Sequence, residues 1–143
     1  MKRIILDTNI YGLIVEDPER DIVRNGIENK KAVIVYNLSL IRKELRDTPR
    51  NIRFEGENLR NYLLRIYFIL YKELGGYAAK TEIIKDFIIV ACASLNSLDI
   101  VVSNDNRTML SEKAIKSYNI ANRIKKIRMP RFLDYEKFKK EIK

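Results

Sequence analysis

The segment at 86–103 places the tightest limit on the fold of this chain. It contains an uncharged apolar run at 87–95 and a shorter run, "DIVVS", at 99–103 that is rich in β-branched residues. The first run is about half as long as a bilayer requires, which favours a buried helix. The second is typical of a strand in a parallel sheet whose faces are both covered. We therefore expect a helix and a strand at the centre of an α/β domain.

Two earlier segments have the same strand character, and helical patterns separate them. The strands are "RIIL" at 3–6 and "AVIVY" at 32–36. The remaining pattern predicts helices at 18–30, 37–48, 57–73, 80–96, 107–119 and 134–142, with a basic edge strand at 123–129. Strands that alternate with helices indicate one α/β domain over residues 1–143, with a parallel sheet and right-handed crossovers.

The charge balance bears on partners and location. The formal net charge is +9, which favours a polyanion because neutralised phosphates release counterions, although a solubilising role is the alternative. The chain has no histidine and a single cysteine, Cys92, within the apolar run. This composition disfavours zinc and fits a reducing, cytoplasmic setting. The apolar runs are too short for a bilayer, so we expect no membrane association.

Four acidic residues fall where a parallel sheet binds ligands. Asp7 and Asp105 follow predicted strands, Asp86 opens the apolar run, and Glu44 lies in the helix after the second strand. Ligands bind at the carboxyl ends of such strands, so we expect these side chains to meet there. Carboxylates at short range repel one another unless cations separate them. Because the ligands are all oxygens, the set predicts a site for Mg²⁺ or Mn²⁺.

Each acid also has a purely structural interpretation. Asp7 and Asp105 could be helix caps or turn residues, since Asp before Thr or Asn is common at both. Glu44 has basic neighbours and could be a solvated surface charge. Asp86 could do no more than favour the positive end of its helix dipole. One shared site is the more economical explanation of all four.

Together these motifs resemble a PIN domain. The resemblance rests on "ILDTNI", "SLIRKELRD", "DFIIVACASLNSLDIVVSND" and "PRFLDYEKF", and it covers essentially the whole chain, most weakly at 51–79. It implies a three-layer α/β/α sandwich with a central parallel sheet. It also implies an acidic quartet that binds metal and performs catalysis, formed by Asp7, Glu44, Asp86 and Asp105. Asn9 and Ser103 match the polar positions that accompany the first and last acids, although "SND" stands where a threonine is more usual.

The resemblance further implies an activity. PIN domains include Mg²⁺- or Mn²⁺-dependent endoribonucleases, many of them toxins of type II toxin–antitoxin pairs, and the principal ligands here would be Asp7 and Asp105. The expected partners are single-stranded or structured RNA, an antitoxin protein and a second copy of the chain. A housekeeping nuclease for rRNA or tRNA maturation remains an alternative. A catalytically inactive module that binds RNA or protein is another.

Two basic runs are candidates for guiding RNA toward the acids, since phosphate contacts position a strand without reading its bases. These candidate residues are Arg42, Arg46, Arg50, Arg53, Lys125 and Arg128. A solubilising surface is the alternative for both runs. Aromatic residues of the helix at 57–73 could stack on bases, but its apolar character favours core packing or a partner interface. Those aromatic residues are Tyr62, Tyr67, Phe68 and Tyr71.

Overall fold

Four strands and six helices make up the described part of the chain. The computed structural model describes residues 1–35 and 50–143, with side chains described at 1–35 and 59–143. The strands are β1 (Lys2–Leu6), β2 (Ala32–Val35), β3 (Ile100–Val102) and β4 (Arg131–Leu133). The helices are α1 (Thr8–Glu16), α2 (Arg20–Glu28), α3 (Arg50–Glu73), α4 (Lys80–Leu95), α5 (Glu112–Ile124) and α6 (Tyr135–Ile142). The helix predicted at 37–48 lies outside these residues.

All strands pair in parallel, in the order β2–β1–β3–β4. In this register Ile4 of β1 lies between Ile34 of β2 and Ile100 of β3. The carboxyl ends of the strands therefore share one edge of the sheet. The predicted α/β class and parallel sheet are confirmed.

Successive side chains of β1 pack on opposite faces of the sheet, as the two-residue period of a strand requires. Ile5 belongs to a buried layer with residues of α3, α4 and α5. Ile4 and Leu6 belong to a second layer with residues of α1, α2 and α6. Each fully buried aliphatic side chain contributes about 1.5–3 kcal/mol, so both layers stabilise the sheet. The result is the expected three-layer α/β/α sandwich.

The apolar helix α4 is the centre of the first layer. Its residue Phe87 is fully buried and makes edge contacts with Tyr67, Tyr71 and Tyr118, with ring centroids 5.6–5.8 Å apart. Such aromatic pairs add about 0.5–1.5 kcal/mol each beyond the area that they bury. The buried helix predicted at 80–96 is confirmed. Tyr67 and Tyr71 of α3 belong to the core, as the apolar character of that helix favours.

The segment after β1 forms a helix that the sequence pattern did not predict. The polar triplet "DTN" indicates a turn as readily as a helix start. In the structure it begins α1, whose residue Ile10 is fully buried in the second layer. Packing of Ile10 therefore decides between two local conformations that the sequence allows equally.

The basic edge strand predicted at 123–129 is wrong. Helix α5 continues to Ile124, and Lys126 has a positive φ of 55° in the turn that follows. The edge strand is β4, which pairs with β3 beyond Pro130. Helix α5 also begins later than predicted, because the Ser111 side chain accepts a hydrogen bond from Ala114 N and so caps it.

The apolar helices of the fold are internal ones. Within the part of the chain that the structure describes, no helix combines the length and hydropathy needed to cross a bilayer. Burial of α4 between the sheet and its neighbours accounts for its apolar composition.

Candidate active site

Asp7 stands where β1 ends and α1 begins. Its Oδ1 accepts a hydrogen bond from Thr8 N at 2.8 Å, so the residue caps the helix. Its Oδ2 accepts one from Ser103 Oγ, also at 2.8 Å. The Asp7 side chain is only 7% exposed. The carboxylate is thus held rigidly at the carboxyl edge of the sheet. One oxygen is bonded to a backbone N–H group, and the other is bonded to the Ser103 hydroxyl just after β3.

Ser103 connects Asp7 to Asp105. The buried Ser103 hydroxyl donates to Asp7 and accepts a hydrogen bond from Asp105 N at 3.0 Å. Strands β1 and β3 are neighbours in the sheet, so their ends lie side by side. This pairing explains how residues 96 positions apart in the sequence reach one hydrogen-bonded group.

Asp105 organises the turn that follows β3. Its Oδ1 accepts hydrogen bonds from Arg107 N at 3.1 Å and Thr108 N at 3.0 Å, and its carbonyl accepts one from Leu110 N. An aspartate that binds backbone N–H groups ahead of it is a common turn device. The turn also positions Thr108 against the second carboxylate oxygen of Asp105.

Thr108 lies between two carboxylates. Its Oγ1 is 2.7 Å from Asp86 Oδ2 and is also in hydrogen-bond contact with Asp105 Oδ2. A hydroxyl carries one proton and can donate to only one acceptor at a time. One of the two carboxylate oxygens therefore lies against the Thr108 oxygen without receiving a hydrogen bond from it. Sequence analysis missed Thr108 because the pattern predicted a helix at 107–119; its position three residues after Asp105 is the signal of the turn.

The electrostatics of Asp86 reflect this crowding. Burial, together with the negative charges of Asp105 and Asp7, raises the pKa of its carboxyl group to about 6, against the opposing effect of the Thr108 hydrogen bond. Like charges and burial both penalise the ionised carboxylate. The negative charge of Asp86 is thus poorly compensated by the groups of the described residues.

The structure brings part of the predicted quartet together. Asp7, Asp86 and Asp105 are joined through the hydroxyl groups of Ser103 and Thr108. We call these five residues the acid cluster. Asn9 is exposed in the first turn of α1. The fourth predicted acid, Glu44, lies outside the described residues.

The donor set of the acid cluster can be compared with the needs of a divalent ion. Among the side chains described at 1–35 and 59–143, no group of three or more Asp, Glu, His or Cys is spaced to hold a metal ion. Asp86, Asp105 and Thr108 nevertheless present oxygen atoms alone, and the two carboxylates share one proton donor. Mg²⁺ is commonly held by one or two carboxylates, with water or phosphate at its other positions. The pair therefore fits a hard divalent cation.

A cleft of about 840 Å³ opens beside Asp86 and Asp105. Its walls come from the connection between α3 and α4, the first turns of α4, the turn after β3 and the start of α5. Two cationic residues, Arg107 and Lys113, and the exposed Tyr77 line it. Sequence analysis missed all three. Nothing local relates Tyr77 or Lys113 to the acids, and Arg107, although two residues after Asp105, lies in a stretch whose pattern predicts a helix. The cleft is large enough for several atoms of a nucleotide beside the carboxylates.

Four of the predicted basic residues precede the described side chains. Arg42 and Arg46 lie outside the described residues, whereas Arg50 and Arg53 lie in α3 with side chains that are not described. Their proposed contact with RNA stays a prediction.

The other two predicted basic residues lie away from the acid cluster. The Arg128 guanidinium donates to Ser97 O and lies 3.3 Å from Asp99 Oδ1, both of which precede β3. Lys125 is the C-cap of α5, with Nζ 4.3 Å from the ring centroid of Tyr62. The structure places Arg128 at the amino end of β3, whereas Asp105 follows its carboxyl end, so it does not bring this arginine to the acids.

Comparisons of the chain with protein-family models, with curated proteins and with solved structures gave no match. Function is therefore inferred from the sequence motifs together with the geometry of the acid cluster and its cleft.

Proposed function

We propose that this protein is an Mg²⁺- or Mn²⁺-dependent endoribonuclease that cleaves phosphodiester bonds of single-stranded or structured RNA. The observation that carries the proposal is the acid cluster at the carboxyl edge of a parallel sheet, where Thr108 joins the carboxylates of Asp86 and Asp105, and Ser103 joins the Asp7 carboxylate to Asp105 N. Ligands of such sheets bind at this edge. The resemblance of the sequence motifs to a PIN domain supports the same activity.

Each side chain has a proposed role that follows from its position. Asp86 and Asp105 would hold the ion. Asp7, which the resemblance implies as a principal ligand, has hydrogen bonds to both carboxylate oxygens, so it would add negative charge nearby and act through Ser103. When bound, a divalent ion supplies a Lewis acid that offsets phosphate charge and lowers the pKa of an attacking water. Lys113 lines the same cleft, where its positive charge would attract the RNA backbone.

We further propose that the nuclease is the toxin of a type II toxin–antitoxin pair and acts as a homodimer in the cytoplasm. The PIN resemblance and the net charge of +9 support a nuclease that binds RNA. A small antitoxin gene directly upstream would separate this role from rRNA or tRNA maturation. Light scattering of the purified protein would test the dimer.

A second candidate function is a catalytically inactive module that binds RNA or protein. It is favoured by one observation: both Asp7 and Asp105 use one carboxylate oxygen to satisfy backbone N–H groups. These acids therefore have structural roles that need no metal. The two candidates differ in a single measurable property, which is metal-dependent cleavage.

Digestion of total RNA with mapped product ends tests the proposal. The wild-type protein should cleave in Mn²⁺ and not in EDTA. Asp105→Asn should abolish cleavage yet fold, because the amide keeps an oxygen for the backbone donors of the turn. The matched control is Asp99→Asn, since Asp99 lies at the other end of β3 and binds Arg3 N.

Asp99→Asn should cleave like the wild type. Failure of the wild-type protein to cleave RNA in Mn²⁺ would overturn the nuclease. Undiminished cleavage by Asp105→Asn would remove the acid cluster from the reaction.

A further inference from the structure

The connection between α3 and α4 presents an aromatic side chain at the mouth of the cleft. Tyr77 is 90% exposed, yet it lines the same cleft as Asp86 and Asp105. A single exposed aromatic residue is not unusual by itself. What distinguishes Tyr77 is its position in the same cleft as the carboxylates of Asp86 and Asp105.

The backbone before Tyr77 is held in one conformation. Gly75 has a φ of 93°, which favours glycine, and Gly76 packs so closely on the Tyr71 ring that a Cβ there would collide with it. Gly76 N also donates to Tyr71 O at 2.8 Å. Tyr71 is a buried residue of the core, so it anchors this connection to the first layer.

Hydrogen bonds also fix the connection on both sides of Tyr77. Lys72 Nζ donates to Ala78 O at 2.9 Å, and Lys113 Nζ donates to Gly75 O at 2.9 Å. The Lys113 ammonium group lies 5.2 Å from the centroid of the Tyr77 ring. A cation therefore accompanies an exposed aromatic face on a preorganised backbone, which lowers the entropic cost of binding a ligand.

We propose that Tyr77, flanked by Lys113, is a stacking platform for an unpaired base of the RNA whose backbone passes Asp86 and Asp105. This inference rests on the proposed endoribonuclease activity. An aromatic ring can stack on any base whose face is free, while a neighbouring cation contacts phosphate. Bases inside a duplex have both faces covered, so the cleft selects single-stranded segments.

Tryptophan fluorescence tests the platform directly, because the chain contains no tryptophan. Tyr77→Trp introduces a single reporter at the platform. Tyr62→Trp is the matched control, since Tyr62 also has a lysine over its ring but does not line the cleft. Both variants carry Asp105→Asn to prevent cleavage and are titrated, in Mg²⁺, with one non-self-complementary RNA oligonucleotide and with its duplex.

Emission of the Tyr77→Trp protein should be quenched saturably by the single strand and much less by the duplex, while that of Tyr62→Trp stays constant. In the same background, Tyr77→Ala should weaken single-strand binding, measured by fluorescence anisotropy, by about fivefold to a hundredfold. Tyr77→Phe should bind as tightly as the parent, because the phenyl ring still stacks.

The two proposals fail in distinguishable ways. Unquenched emission from Tyr77→Trp while anisotropy shows bound RNA, or equal quenching by the duplex, overturns the platform and leaves the nuclease standing if the wild type cleaves. Absence of RNA binding together with absence of Mn²⁺-dependent cleavage by the wild type overturns both.

Discussion

The acid cluster and the ion-paired group around Lys139 treat partly buried charge in opposite ways. In the acid cluster, burial and the charges of Asp105 and Asp7 raise the pKa of Asp86 to about 6. On α6, Lys139 Nζ donates to Asp17 Oδ2 at 2.9 Å, and this hydrogen bond is the main reason that the pKa of Asp17 falls to about 2. One region gathers like charges, and the other matches opposite ones.

The Lys139 group is complete without a ligand. Lys139 is 5% exposed and lies within 3.4 Å of carboxylate oxygens of Asp17, Glu19 and Glu136. The Tyr135 hydroxyl donates a further hydrogen bond to Asp17 at 2.7 Å. These contacts tie α6 to the connection between α1 and α2. Removing one partner would leave a buried charge less well compensated and would destabilise the fold, so the group has a structural role.

Among the described residues, the acid cluster has no such match. None of the ion pairs between described residues includes Asp86 or Asp105. Poorly compensated charge in a cleft is the usual mark of a site that binds a ligand, because the folded protein gives up stability there. The comparison teaches that burial of charge is not enough to identify function; the absence of a compensating partner is the useful signal.

The largest expected effect is on cleavage by Asp86→Asn. We expect a loss of more than about a hundredfold, above the range for residues that act only through a metal ligand. The metal-free variant should be more stable than the wild type at pH 7 by about 1–2 kcal/mol, allowing for solvent screening of this half-buried group. Initial rates in Mn²⁺ and urea unfolding in EDTA measure the two effects. Full activity with unchanged stability would erase the contrast with the Lys139 group.

The next effect is expected at the shared hydroxyl. Thr108→Val keeps the side-chain shape but removes the hydrogen bonds to Asp86 and Asp105, so we expect cleavage to fall by about 10- to 100-fold. Affinity for Mn²⁺, measured by calorimetry, should fall with it. Thr108→Ser should restore both properties, while Thr81→Val, at an exposed position of α4, should change neither. Wild-type Mn²⁺ affinity in Thr108→Val would show that the hydroxyl only packs.

The smallest effect is the pH dependence of stability, which should have opposite signs in the two regions. Asp17 has a lowered pKa, so its contribution is present above its unfolded value of 3.8 and is lost as pH falls toward 2. Asp86 has a raised pKa, so stability falls as pH rises from 3.8 through about 6. Chemical unfolding in EDTA between pH 2 and 7 measures both.

Each variant should remove one contribution to that profile. Asp17→Asn should reduce the slope of the acid limb, to which the lowered pKa values of Asp99 and Glu141 also contribute, whereas Asp86→Asn should flatten only the limb above pH 4. A common slope for both variants would mean that their charges are equally solvated and would break the comparison.

Much of the framework was predictable from local pattern. The β-branched runs at 3–6 and 99–103 are strands, and the apolar run at 87–95 is a buried helix, because burial on two faces demands apolar residues at successive positions. The placement of Asp7 and Asp105 after strands located the carboxyl edge of the sheet. These features depend on a few neighbouring residues, so the order of amino acids is enough to predict them.

Long-range contacts were not predictable in the same way. Thr108 lies in a stretch whose pattern predicts a helix, and nothing local relates Tyr77 to Lys113 or Lys139 to Asp17. The start of α1 was equally undetermined, because "DTN" suits both a turn and a cap. Each case was decided by packing between segments that are distant in the chain.

The amino-acid sequence by itself determined the alternation of strands and helices, the basic charge and the edge of the sheet at which Asp7 and Asp105 stand. Only the tertiary structure decided that one threonine hydroxyl serves two carboxylates and that an aromatic ring stands at their cleft. The physical reason is one of range. Hydrophobic periodicity acts over a few residues, whereas hydrogen bonds and charge compensation depend on distances that exist only after the layers pack.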